Sequence, residues 1–309
     1  MLYFTFKRIL QTIPVAIGVV LAVFLMLHLI PGDPARIMAG EAANPEQLEQ
    51  MRINLGLHLP LHEQFFNYFI NLLQGDLGTS IRTNRPVVAE IFENRFLITL
   101  QLAVSGTALS IILGLVVGIL SAATKARYSF VEKILMLISL IGLSIPNFWL
   151  GVLLIQFFSV RLGILPIIGW GTWQQAVMPT LTLGVTGMAI IARMTSNSLT
   201  EVLSQDYIRT AHAKGAKNSI IVFKHALKNA LIPVVTVVGL QFGSLLGGAV
   251  VTESIFAING LGRLIVDSIR AQDFPLLQGT VLIFALLFVV VNFLVDISYR
   301  LINKRMDLN

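Results

Sequence analysis

The stretch "DYIRTAHAKGAKNSIIVFKHALKNALIP", residues 206–233, sets the frame for reading the chain. It carries Arg209, Lys214, Lys217, Lys224 and Lys228, and long apolar runs flank it on both sides. A loop that only joined two membrane spans could be much shorter, so this one has its own folded content. Two short helices are expected, over 205–216 and 218–231. In the first, Tyr207, Ala211 and Gly215 recur every four residues and share one helix face, where small side chains would let another surface come close. In the second, Asn218 is the expected N-cap. Ile220, Phe223, Leu227 and Leu231 form its apolar stripe, with Lys217, Lys224 and Lys228 on another face. Pro233 marks the start of the next span.

The composition explains the flanks. Of 309 residues, 55% are hydrophobic and 12% charged, about half the charged fraction of a soluble domain. Several apolar runs reach the roughly 20 residues needed to cross a bilayer. The chain therefore reads as all-α and polytopic, with six spans near 9–30, 97–122, 134–160, 177–197, 231–252 and 278–302. The N-terminal run follows Lys7 and Arg8 but is too long for a signal peptide and lacks a cleavage site, so it reads as a retained span. Residues 31–96 read as short amphipathic helices broken by Pro and Gly.

Charge sets the orientation. With the N-terminus inside, all eight Lys lie on the inner side, together with Arg8, Arg127, Arg193, Arg209, Arg300 and Arg305. Arg36, Arg52, Arg82, Arg85, Arg95, Arg161, Arg263 and Arg270 lie outside, with most of the acids. Positive charge gathers on cytoplasmic loops. Both termini and the 205–231 loop are therefore expected in the cytoplasm, and 31–96 on the outer face. The same bias accounts for the net charge of +6 without nucleic-acid binding.

Several activities are excluded. The chain has no cysteine, hence no disulfide or thiolate chemistry. Its five His show no metal-ligand spacing, no GxxxxGK[ST] loop is present to grip ATP, and no hydrolytic triad or HExxH pattern appears. The span interiors hold almost no ionisable residues, which argues against an ion-coupled transporter. His28 and Glu253 fall near outer ends of spans, and Asp296 is placed to pair with Arg300 one turn on. Thr99, Gln101, Ser105, Ser144, Asn147, Gln156, Thr236, Gln241 and Ser244 are neutral polar residues within spans. Each alone reads as an interhelical hydrogen-bonding group. As lining for a translocation path, the candidates are Ser144, Asn147, Gln241 and Ser244. Pro146 should kink the third span, and "GLQFGSLLGGAV" (239–250) in the fifth permits close helix contact.

The 206–233 stretch resembles the EAA loop of ABC-importer permeases. The usual core is Glu-Ala-Ala, three residues, then Gly; here Arg209, Thr210 and Ala211 fill the first places and Gly215 the last. The Glu is absent, and the distance from Gly215 to Pro233 is long. Both departures are habitual in the dipeptide/oligopeptide/nickel branch of the family. "LIPGDPA" (29–35), "GDLGTSIRTNRPV" (75–87), "LSIPNFWLG" (143–151), "HALKNALIPVVT" (225–236) and "INGLGRLIVDSIRAQDFPLLQG" (258–279) are similar to that branch too, nearly end to end and in order. The short 161–176 loop looks more like glutathione-type members.

The resemblance implies a single transmembrane permease domain over 1–309 with the type I ABC-importer fold, in a bacterial inner membrane. It implies a second homologous permease, two ATPase subunits and an outer-face substrate-binding protein as partners. ATP and Mg would sit on the ATPases, with no cofactor on this chain and no bond chemistry. Asp206, Tyr207, Arg209, Thr210, Ala211, Lys214 and Gly215 would dock the ATPase. The substrate would be a short peptide, glutathione included, with nickel or other metal chelates as the alternative. A secondary transporter and an intramembrane enzyme are the readings from other classes.

Overall fold

The structure, a computed structural model, describes residues 2–29, 35 and 36, 43–93, 95–125 and 128–302. Among these, helix is the only extended regular element; one isolated bridge joins Thr79 and Pro86. Five helical stretches are long and apolar enough to cross a membrane: Thr5–Met26, Val87–Lys125, Trp173–Leu203, Asn218–Ile255 and Phe274–Ile297. A sixth candidate is a bent pair, Phe130–Ser144 with Asn147–Arg161. Counting the bent pair as one span gives the six expected, with shifted ends.

The third is broken rather than kinked: its halves turn through 99°. Ile145 and Pro146 are both extended, at ψ 120° and 137°. A proline cannot donate to the turn before it, and its ring bars the preceding residue from the helical region. Both effects fall on one linker, so the helix stops and restarts. The expected Asp296–Arg300 pair lies outside the described side chains, as does most of "LIPGDPA".

The chain divides into two compact units, residues 1–97 with 259–290 and residues 98–258 with 291–309. In the first unit, helix α1 (Leu2–Leu29) carries an aromatic end. Phe24 meets Phe65 edge-on at 5.4 Å and Tyr68 at 5.8 Å, both on α3 (Leu61–Leu73). Before α3, helix α2 (Pro45–Asn54) starts in a reciprocal capping box between Asn44 and Gln47, with Pro45 at the first position, a combination that satisfies free amides where proline costs nothing. Helix α4 (Val87–Phe92) buries Val87 and Ile91 against Leu261 and Leu264 of a later helix. Burial pushes the Tyr68 phenol up to about 12. Arg85 is raised above its ordinary value by a 2.6 Å hydrogen bond to Glu93.

In the second unit, α5 (Arg95–Lys125) lies against α8 (Trp173–Leu203) along a ladder of small residues. Gly106 faces Leu183, Gly114 faces Ile191 and Gly118 faces Thr195; a methyl group at Gly114 or Gly118 would come within 2.6 Å of its neighbour. Between them, the Ser110 hydroxyl donates to Gly184 O at 2.9 Å, and Ser121 meets Ser196 at 3.0 Å. With no hydrophobic drive between helices in lipid, close backbone approach and hydrogen bonds carry association. Glycine spacing in the fifth span was the expected contact, but the denser ladder is on α5, where 106, 110, 114 and 118 repeat every four residues. Helix α8 begins earlier than expected because Thr172 and Gln175 cap it reciprocally.

Two shorter helices, α6 (Ser129–Ser144) and α7 (Asn147–Arg161, π-wound from Ile155), form the broken pair. Helix α9 (Asp206–Ala213) is free-standing in sequence, but the second expected loop helix is not. Asn218–Ile255 is one continuous helix, α10, with a π-wound segment over Ile221–Ala226. Pro233 sits inside it. Helices α11 (Leu261–Arg270) and α12 (Phe274–Ile302) complete the chain.

Candidate functional site: an exposed helix and the polar groups of the spans

Helix α9 packs on the rest of its unit through Ile208. Ile208 is 1% exposed and packs with Ala122, Leu199, Ile221, Ala226 and Ala230, which belong to α5, α8 and α10. It is the only large aliphatic residue between 206 and 217, a signal visible in the sequence but not used above. The Tyr207 hydroxyl accepts a hydrogen bond from Asn229 Nδ2 at 3.0 Å, a second tie to α10.

The remaining surface of α9 is polar and open. Asp206, Tyr207, Arg209, Thr210, Lys214 and Gly215 are exposed. Thr210 Oγ1 donates to Asp206 O at 3.1 Å. Arg209 and Asp206 lie 3.6 Å apart, but with side chains 82% and 96% exposed the pair contributes little to stability.

The expected stripe of Tyr207, Ala211 and Gly215 does not form. Ala211 turns inward against the Ile208 cluster. Gly215 lies beyond the helix end at φ +78°, and its Cβ position would meet nothing within 4 Å. Two hydrogen bonds explain it: Ala216 N to Ala211 O at 3.2 Å and Gly215 N to His212 O at 2.9 Å. These are the 6→1 and 5→2 bonds of a Schellman turn, whose pivot is left-handed and favours glycine. Gly215 therefore sets how α9 ends.

The second half of the loop also departs from expectation. The N-cap is Lys217, not Asn218, and it makes no side-chain cap. Ile221, Ala226 and Ala230 are buried, while Ile220 and Phe223 are 45% and 62% exposed. The expected stripe assumed 3.6 residues per turn. The π-wound segment, with i→i+5 bonding, rotates the buried positions to spacings of five and four.

Among the span residues, the interhelical reading holds for several. Thr99 Oγ1 donates to Glu253 Oε1 at 2.6 Å, with both residues fully buried. Ser105 meets Thr180 at 3.1 Å, and Gln101 Oε1 accepts from Trp170 Nε1 at 3.0 Å. The four path candidates are scattered in role. Asn147 accepts from the Thr186 hydroxyl, and Gln241 is 9% exposed beside Gly187. Ser144 is exposed, with its hydroxyl returned to Leu140 O at 2.9 Å. Ser244 is exposed on α10. Among the described residues, no three His, Asp or Glu side chains gather as a metal site.

This arrangement, an exposed polar helix anchored by one aliphatic side chain to the ends of three long spans, has relatives. Residues 114–308 match the family described as "Binding-protein-dependent transport system inner membrane component", and residues 1–103 match its N-terminal companion. The chain belongs to that family. It is a multi-pass permease subunit of an ABC importer, and its site in the inner membrane follows from the same family.

Among curated relatives of this permease, the glutathione transport system permease protein GsiC of Pectobacterium atrosepticum is 49% identical over 303 residues, covering 98% of both chains. GsiC of Escherichia coli strain K12 is 46% identical with the same coverage. In solved structures, the inward-facing MetNI methionine ABC transporter matches with a TM-score of 0.58 and 26% identity, over 67% of this permease and 93% of that chain. A further match, an amino acid ABC transporter at 14% identity and TM-score 0.53, supports the fold alone.

Proposed function

We propose that this permease forms half of the translocation path of an ATP-driven importer of short peptides, glutathione included. It does no bond chemistry itself. Its partners are a second homologous permease, two ATPase subunits that hold ATP and Mg, and an outer-face substrate-binding protein. Both termini and the 205–231 loop face the cytoplasm, and residues 31–96 face outward. The observation that carries the reading is similarity to glutathione permeases across 98% of the chain. The geometry of α9 supports it. A helix whose Ile208 packs among residues of α5, α8 and α10 is suited to pass a push from a docked ATPase into three spans. Transport then follows from the ATPases' different affinity for ATP in the inward- and outward-open states.

The test is uptake into vesicles that contain the complete complex and binding protein. Uptake of a short peptide should require internal ATP and survive an uncoupler. Accumulation driven by a proton or sodium gradient without ATP would overturn the reading. ATP-dependent uptake of a nickel chelate, with none of peptide, would move the substrate assignment to the chelate.

A further inference from the structure

Helix α8 is the most enclosed of the long spans, yet it keeps one open face. Thr186, Ile190, Arg193 and Asn197 follow at spacings of four, three and four, so they lie along one helical stripe. Ile190, Arg193 and Asn197 are exposed, while Gly187, Met188, Ile191, Ala192, Thr195 and Ser196 around them are buried. The stripe opens on a cavity of about 260 Å³, walled by Leu143 of α6, Val237 of α10 and Met194 of α8.

Among the described residues, Arg193 is the one charged residue lining this cavity. Among the described residues it makes no ion pair or hydrogen bond. It is not at a helix tip, since α8 runs on to Leu203, ten residues and about 15 Å further. Arg193 lies four residues before the inner end expected for this span, and ionisable side chains within span segments face a bundle interior or a water-filled cavity. A guanidinium left unpaired there is a ready partner for a carboxylate, which it can engage through two parallel hydrogen bonds. Asn197, one turn on, adds an amide to the same surface. The apolar walls contribute no side-chain selectivity, which suits a path that must release what it binds.

We propose that Arg193, with Asn197, is an anion-recognition point in the inner half of the path, taking the free carboxylate of the passing peptide. This rests on the peptide-importer reading. The competing account is an arginine that stretches along the helix to the lipid headgroups.

The test uses the complete complex in proteoliposomes, with a tripeptide and its C-terminal amide, both bound by the binding protein. Arg193→Gln should lower uptake of the free acid about tenfold, the scale of one charge-assisted hydrogen bond. Uptake of the amide should stay within about twofold, and Arg193→Lys should recover most of the loss. Equal losses for acid and amide, or none for either, would overturn the proposal. A second arm does not depend on peptide transport. The chain has no cysteine, so Asn197→Cys can be labelled alone with an anionic and a cationic methanethiosulfonate. Arg193 should favour the anionic reagent, and Arg193→Gln should erase that preference by about tenfold. No reaction with either reagent would place the stripe against lipid and sink the proposal. If neither peptide form is taken up by the unaltered complex, the peptide reading fails, and the labelling arm still judges the anion site.

Discussion

The Asp273 carboxylate accepts a hydrogen bond from the Ser80 hydroxyl, joining positions 193 residues apart. The same carboxylate accepts from Ile81 N and Arg82 N at 3.3 Å and from Leu276 N at 3.2 Å, and it is 1% exposed. It thereby caps α12 and closes the 75–87 loop at once. Two motifs that the sequence shows as separate, "GDLGTSIRTNRPV" and "AQDFPLLQG", are one structural joint. Asp273→Ala should cost about 2–4 kcal/mol, because several buried donors lose their acceptor together. Ser80→Ala should cost about 1 kcal/mol. Thermal unfolding of the purified permease checks both, and equal midpoints for the two variants would show that the joint is not centred on Asp273.

The α5–α8 ladder predicts intolerance to volume. Gly118→Val would drive a side chain into Thr195 and the Ala192 carbonyl, an overpacking cost of about 1–3 kcal/mol or more. Gly18, whose Cβ would meet nothing within 4 Å, is the control. Gly18→Ala should leave yield and melting temperature unchanged while Gly118→Val lowers both.

Gly215 predicts a backbone effect at the end of α9. A side chain there meets open space, but φ is +78°, so Gly215→Ala should cost about 1 kcal/mol locally. Gly215→Asn should cost less, since Asn tolerates that region. Co-purification of the ATPase subunits with the tagged permease should follow the order Gly, Asn, Ala. Recovery that instead tracks side-chain size would point to a steric contact at Gly215.

Tyr68 predicts an alkaline transition. Burial moves its phenol from 10.0 to about 12, so the neutral form is favoured in the folded state. Its contribution to stability is complete below pH 10 and is lost as pH rises through about 12. The hydroxyl is buried without a partner, so Tyr68→Phe should hold stability within about 0.5 kcal/mol. Ultraviolet titration of the phenolates should lose its latest component in that variant.

Topology is checked by labelling. Single cysteines at Gln64 and Asn218 should react with an impermeant thiol reagent from opposite sides of the membrane. Labelling of both from the same side would overturn the assigned orientation.

Apolar length and the Lys/Arg asymmetry were enough to read an all-α, six-span chain, because the bilayer imposes helix length directly on composition. The position of α9, and the presence of short helices within 31–96, were likewise legible, since Pro, Gly and capping residues act locally. What the sequence left undecided depends on neighbours in space or on winding. The buried face of α10 follows from π-winding over Ile221–Ala226, which a 3.6-residue period cannot anticipate. Gly215 matched a motif, but only the bonds to Ala211 and His212 reveal it as a left-handed pivot. Asp273 was one letter of a quoted motif, and only its hydrogen bond from Ser80 shows that it joins two motifs. Arg193 counted as one more inner-side charge until the packing of α8 left it alone on an open face. Local chain chemistry sets which segments are helices, whereas the burial of a given side chain depends on which helices lie beside it.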